Sequence, residues 1–528
     1  MMKKAIKKLL AALLAVAMVC AMAIPAFAYN PGETKEDLNT KHDYGAFQIF
    51  EGVISKDNET LSDVNWGQNI TEPDIFLANL KNDPTIGEKF ETAATAQDVL
   101  AVISKWHDSD DNSIAFARVV CHYLYPDANA NPTPVATDHT GGINIPKSGY
   151  YLIVDTSTFS DDDFYHAYNS FFLLNVPQTP YVVLVNHKVV KPTVEKEVYD
   201  NNDIGSTGGW GSSADHAINE PFHFRLIAKL PASENNGRAY DYYKEYAVCF
   251  TDTLSDGITF DKLDTVEITN GDGSTPQVIN NYTLDPNNPQ SSFKLSIDDV
   301  KTCVPDLNKG ATITVTYTAH LNEKAYVNTV GGGTDNKNSV YLEYSNNPRI
   351  STSLDHTTTS EVCVYTYQLN NTKHQDSENG PVLEGAGFRL YSNEACNAED
   401  EIKLKMNDDG TYSRDFSTEG KGVEMLSNKD GQFNVKGLDA GTYYLKETTP
   451  PTGYSACANK EIVISATHDV NHVDLSGNLS TTIINKKAGG ITLPSTGGIG
   501  TTIFYVVGGG LMVAAIVLLV TKKRMENK

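Results

Sequence analysis

Cysteine is scarce: seven in 528 residues, too few to hold a chain of this length together as a disulfide framework. Their spacing contains no Cys-x-x-Cys pair and no Cys/His run of the kind that binds zinc. Positive charge is also in deficit, with 42 Lys and Arg against 66 Asp and Glu, for a formal net charge of −24. That balance argues against nucleic acid or an anionic membrane surface as a partner. A phosphate-binding loop, a dinucleotide fingerprint and a Gly-x-Ser-x-Gly elbow are missing too. The sequence therefore points to no cofactor, no metal and no enzyme of those classes. What is present is 40% hydrophobic and 20% charged. That is the composition of folded globular material, at a length that predicts about three domains.

The two ends read as export and sorting segments. Lys3, Lys4, Lys7 and Lys8 precede an apolar run from Leu9 to Ile24, and Ala26-Phe27-Ala28 follows. Charged, apolar and small-residue regions in that order make residues 1–28 a signal peptide. At the other end, residues 499–520 are apolar over a length suited to one membrane crossing. Lys522, Lys523 and Arg524 come next and should stay cytoplasmic. Immediately before the span stands Leu493-Pro494-Ser495-Thr496-Gly497. Losing both ends takes eight basic residues from 42 and one acidic from 66, so the exported part carries −31.

Between the ends, short alternating runs at 222–228, 246–250, 312–318, 340–344 and 443–447 are broken by Gly, Pro, Asn and Asp. This pattern predicts an all-β chain of tandem immunoglobulin-like sandwiches. Residues 95–125 instead place Val99, Val102, Ile103, Trp106, Ile114, Phe116, Val119 and Val120 at helical spacing, which predicts one or two helices inserted in the first domain. A weak repeat links Gly45-Ala46-Phe47-Gln48-Ile49-Phe50 with 385–391, and 142–152 with 431–445, so the first and last domains are expected to share one sandwich type. The expected divisions are 29–190, 191–355, 356–488 and a sorting region from 489 to 528.

Strand side chains alternate between faces, so residues two apart share one. Lys196 then shares a face with Val194 and Val198, and Lys373 with Tyr367, Leu369 and Asn371. Asn338 leads Val340 and Leu342, Asn485 follows Ile483, Glu447 follows Tyr443 and Leu445, and Asp252 follows Val248 and Phe250. Two lysines, two asparagines and two acids are thus aimed inward. An unpaired buried charge is costly, so such groups must pair, neutralise or react. Burial lowers a lysine pKa and raises a carboxyl pKa, favouring the neutral amine and the protonated acid. The amine can then attack the Asn side-chain carbonyl while the acid polarises it and moves protons. Ammonia leaves and a Lys–Asn isopeptide bond remains.

The tripartite C-terminus resembles the cell-wall sorting signal of Gram-positive surface proteins, which sortases cleave between the positions of Thr496 and Gly497 after reading Leu493 and Pro494. Tyr444-Leu445-Lys446-Glu447-Thr448 followed by Pro451-Thr452-Gly453-Tyr454 is similar to the E-box of sortase-assembled pilins. It departs at Thr449-Pro450-Pro451, where Ala-Pro is commoner. The resemblance implies a collagen-adhesin B-type domain in which Glu447 serves Lys373 and Asn485, and an A-type domain in which Asp252 serves Lys196 and Asn338. The first domain offers no matching set, because Asp155 falls three residues after Leu152 where Glu447 falls two after Leu445. Tyr181-Val182-Val183-Leu184-Val185-Asn186-His187-Lys188 looks like the pilin motif, with Asn186 and His187 in place of Tyr-Pro. It nominates Lys188, and after it Lys191, as the amine that joins subunits.

The function implied is the major shaft subunit of a wall-anchored pilus. Its implied partners are pilin-class and housekeeping sortases, identical subunits, accessory pilins and peptidoglycan. A minor pilin or a monomeric wall-anchored adhesin is the alternative. Cys396 with Cys457, and Cys249 with Cys303, are candidate disulfides whose pairing sequence alone does not decide.

Overall fold

The computed structural model describes residues 42–526 except 55–60, 108–109, 139–141, 159–167, 169, 177–180, 185–190, 203–207, 234–236, 288, 329–335, 418–419, 478 and 489–498. The signal peptide therefore lies outside the described residues. The chain is built mostly of antiparallel sheets in successive immunoglobulin-like sandwiches, and among the described residues α-helices occur in the first segment and at the C-terminus.

In the first segment, the strand Tyr44–Ile54 lies between Leu61–Trp66 and Gly149–Asp155, and Phe172–Val176 closes the other side. A second sheet pairs Gly142–Ile145 with Tyr181–Leu184. The helical insertion is larger than the spacing over 95–125 predicts. Ala96–Ile103 and Asp111–Leu124 are joined by an earlier helix, Pro73–Asn82, and a 3₁₀ turn at Gly87–Phe90. Pro73–Asn82 buries only Phe76, Leu77 and Leu80, too short a stripe to stand out as a period. Thr95 starts the next helix with a capping box, accepting from the Asp98 amide at 3.2 Å while Asp98 accepts from the Thr95 amide at 2.9 Å. The helices cover one side of the sheet through Phe76, Phe90, Trp106 and Phe116. A smaller cluster of Tyr44, Ala46, Ile143, Ile145, Tyr151 and Ile153 fills the other.

The middle sandwich sets a six-stranded sheet, centred on Ala311–Leu321, Pro221–Leu230 and Thr193–Asp200, against a seven-stranded one centred on Ser360–Tyr365, Lys337–Ser345 and Val248–Leu254. One hydrophobic cluster draws on both. The strand Ser360–Tyr365 pairs with Lys337–Ser345, so this sheet continues ten residues past the boundary expected at 355. The segment 351–356 is polar enough to read as a linker, yet Leu354–His356 also pairs with Lys337–Ser345.

The third sandwich opposes two sheets over a separate core. In one, Tyr367–Gln375 pairs in parallel with Ser480–Asn485, bringing its first and last strands side by side. In the other, Gly387–Tyr391 pairs antiparallel with Gly441–Thr449, just as Tyr44–Ile54 pairs with Gly149–Asp155 in the first segment. A terminal helix, Ile499–Glu526, contains a stretch at Phe504–Met525 long and apolar enough to cross a membrane.

Candidate cross-link sites and the wall anchor

All six inward-facing polar residues are buried: Lys196 and Glu447 retain 2% and 7% exposure, and Asp252, Asn338, Lys373 and Asn485 none. The strand alternation explains why. Thr193–Asp200 buries Lys196, Val198 and Asp200 on one face, and Tyr367–Gln375 buries Tyr367, Leu369, Asn371 and Lys373.

In the middle sandwich, the Lys196 Nζ donates to Asp252 Oδ2 and, at 3.1 Å, to the Tyr317 hydroxyl. The Asn338 amide reaches the same hydroxyl at 2.6 Å, while its carbonyl oxygen has no hydrogen-bond partner among the described residues. Tyr317 thus joins the lysine, the acid and the asparagine. Its ring is ringed in turn by Phe224, Phe260 and Phe293, each with its centroid 5.3 Å away, and this apolar wall excludes water. Burial pushes the Lys196 ammonium down to about 8 from its ordinary 10.5, although the facing carboxylate pulls the other way. Burial likewise raises Asp252 above the usual carboxylate range against the pull of Lys196. Desolvation wins on both partners, so the pair moves toward neutral amine and neutral acid.

The third sandwich holds the same three functions more tightly. Lys373 Nζ donates to Asn485 Oδ1 at 2.5 Å, and Asn485 Nδ2 donates to Glu447 Oε1 at 2.7 Å. Lys373 Nζ and Glu447 Oε1 are 3.6 Å apart. The Cys457 amide holds the other Glu447 oxygen at 2.8 Å. Burial lowers the Lys373 pKa as well. Phe388 stacks on Phe433 with centroids 4.3 Å apart, and the lysine amine lies 5.5 Å from the Phe388 ring. The amine is therefore against the amide carbonyl it would attack, and the acid is against the nitrogen that would leave.

Sequence reasoning missed Tyr317 and the aromatic floors under both lysines. In sequence they are ordinary inward-facing core residues, and only the cross-strand geometry distinguishes them. Asp155 is buried as well, and it binds His42 Nδ1 at 2.6 Å and the Ser157 hydroxyl at 2.6 Å. It falls on the face opposite Leu152, as the count of faces has it, and is buried because both faces of Gly149–Asp155 are covered.

The candidate disulfides are not formed. Cys249, Cys303, Cys396 and Cys457 are free thiols: Cys396 Sγ accepts from Asn459 at 3.4 Å, while Cys457 is held by its backbone to Glu447. Lys188 and the Leu493, Pro494, Thr496 and Gly497 of the sorting motif lie outside the described residues. Lys191 is exposed, two residues before the Thr193–Asp200 strand.

Residues 369–478 match a family described as SpaA, a prealbumin-like fold domain, and residues 485–527 match the LPXTG cell wall anchor motif. This is a wall-anchored surface chain. No curated protein sequence matches it. Among solved structures it is similar to the pilus 2b backbone protein of group B streptococcus, with 24% identity over 53% of this chain and 97% of that one (TM-score 0.39). The T6 backbone pilin of Streptococcus pyogenes shows 15% identity over 85% of this chain and 96% of that one (TM-score 0.46). The full-length major pilin SpaD of Corynebacterium diphtheriae shows 18% identity over 85% and 93% (TM-score 0.42).

Proposed function

We propose that this chain is the major structural subunit of a covalently polymerised surface pilus, and that it supports adhesion. The observation that carries the reading is a wall anchor in the same chain as two sandwiches, each with a buried Lys–acid–Asn set. A sortase cysteine would attack the Thr496 carbonyl, release the segment from Gly497 onward and hold the chain as a thioester. The Lys188 amine of the next subunit would resolve it to an amide, which is covalent acyl transfer in two steps. Pilin-class sortases would join identical subunits and accessory pilins, and a housekeeping sortase would pass the finished polymer to peptidoglycan.

Within each subunit, Lys196 would condense with Asn338 under Asp252, and Lys373 with Asn485 under Glu447. Each condensation makes one amide and releases one ammonia. The proposed divisions are a signal peptide at 1–28, an N-terminal domain to 190, a middle domain running on through the strand that ends at Tyr365, a third domain to 488, and the sorting region.

Boiling wall extracts in SDS and probing with antibody tests the polymer. A high-molecular-weight ladder is expected, collapsing to monomer in Lys188→Arg. A ladder that persists in Lys188→Arg transfers the role to Lys191, and the absence of any ladder from expressing cells would favour a monomeric adhesin.

A further inference from the structure

Where the middle sandwich meets the third, carboxylates and an imidazole converge from strands distant in sequence. Asp200 ends Thr193–Asp200, Asp215 ends Ser213–Asp215, Asp439 follows Val435–Leu438 and His468 ends Lys460–His468. One donor atom each from Asp200, Asp215 and His468 lies within 4.8 Å of the others. Asp439 stands beside them, its Oδ2 accepting from the Asn202 side chain while the Asn202 backbone amide holds Asp200. Asp200 and Asp215 have no exposure and Asp439 only 7%. Both Asp215 oxygens lack a hydrogen-bond partner among the described residues.

Three carboxylates in one dry site cannot all stand as bare anions, since each uncompensated buried charge costs several kcal/mol. Either a proton is shared or a cation sits among them. The surroundings favour the cation. Asp200 is held in place by the amides of Asn202 at 2.9 Å and Asp215 at 3.2 Å. Asp439 is steered by Asn202 Nδ2 at 2.9 Å. His468 binds the Ser213 hydroxyl through Nδ1 at 2.9 Å, which turns Nε2 toward Asp200 Oδ2 at 3.8 Å. A histidine oriented by a hydrogen bond on one nitrogen, with the other facing carboxylates, is the arrangement that outer-shell partners impose on metal ligands. Oxygen donors with one imidazole suit Zn²⁺ or Mn²⁺ better than Ca²⁺ or Mg²⁺, which take all-oxygen shells.

We propose that Asp200, Asp215 and His468, with Asp439 beside them, form a divalent-cation site of the Zn²⁺ or Mn²⁺ class that clamps the middle sandwich to the third. Asp200 and Asp215 belong to the middle sandwich and His468 to the third, so the ion bridges a junction also crossed by hydrogen bonds such as Tyr365 OH to the Asp469 carbonyl at 2.8 Å. No short motif announces the site, because its ligands are drawn together only by the packing of two sandwiches.

The test uses the full-length chain in detergent, stripped with chelator and dialysed separately against Zn²⁺, Mn²⁺ and Ca²⁺. Metal content is read by mass spectrometry and melting by differential scanning calorimetry. One Zn²⁺ or Mn²⁺ per chain is expected, with Ca²⁺ far weaker and with a metal-dependent rise in Tm. Asp200→Asn, Asp215→Asn and His468→Gln should each weaken binding by about tenfold or more and abolish the rise. Near-UV circular dichroism identifies any variant that has not folded, leaving the other two to decide. The proposal is overturned if the wild-type chain takes up neither metal and metal-free Asp215→Asn melts higher, the signature of a shared proton. Uptake that all three folded variants retain would overturn it equally.

Discussion

A lysine carried into a water-free core loses hydration that one facing carboxylate does not fully replace, and at Lys196 the balance moves toward the neutral amine. That shift would let the residue act as a nucleophile rather than as half of an ion pair. The exported chain made without sortase should therefore weigh about 17 Da less for each of two condensations. Asp252→Ala and Glu447→Ala should each restore one of them, as read by intact-mass spectrometry.

A stability consequence follows in the uncondensed chain. In Asn338→Ala the amine has no carbonyl to attack. Between pH 8 and 10.5 the unfolded Lys196 still binds a proton while the folded one does not, so stability should rise with pH across that window. Urea titrations against an Asn338→Ala/Lys196→Met control would show it, and a flat difference would count against the lowered pKa. At this scale much of the site was legible, because alternation along a strand assigns a face to each polar residue. Tyr317, which bonds Lys196 and Asn338, was not, since a tyrosine among Val315 and Ala319 is indistinguishable from core.

At the scale of elements, legibility depended on which faces of a strand are covered. Where one face meets a core, as in Pro221–Leu230 or Ser480–Asn485, the period of two is clean. In Gly149–Asp155, helices cover one face and Gly142–Ile145 the other, and the period vanishes. The helix Pro73–Asn82 escaped for a related reason: it contributes three buried residues to a core assembled mainly from other elements. The insertion still depends on its local signals. Thr95→Ala removes a capping box and should cost about 1 kcal/mol, seen as a lower denaturant midpoint for the helical segment followed by far-UV circular dichroism. Glycines with positive φ mark tight approaches, and at Gly437 (φ +73°) a Cβ would stand 2.4 Å from an Ile218 side-chain atom. That contact seats the third sandwich on the middle one.

For the molecule as a whole, the C-terminal anchor was legible because anchoring is encoded as contiguous composition. The junction between the second and third sandwiches was not, because Ser360–Tyr365 declares its allegiance only by pairing with Lys337–Ser345. Each proposed bond closes a long loop, 112 positions for Lys373 to Asn485. Constraining a loop of that length in the unfolded chain stabilises a fold by about 5 kcal/mol in the chain-entropy account. The Glu447→Ala chain should accordingly melt lower and yield to trypsin within 374–484, while the middle sandwich resists.

The parallel pairing of Tyr367–Gln375 with Ser480–Asn485 has a mechanical side. A pull along an assembled fibre enters the third sandwich at its first strand and leaves at its last, and these are neighbours. With Lys373 tied to Asn485, tension crosses from one to the other through a single covalent rung. The strands between carry none of it and cannot be drawn out, so the domain would act as a short tie rather than a spring.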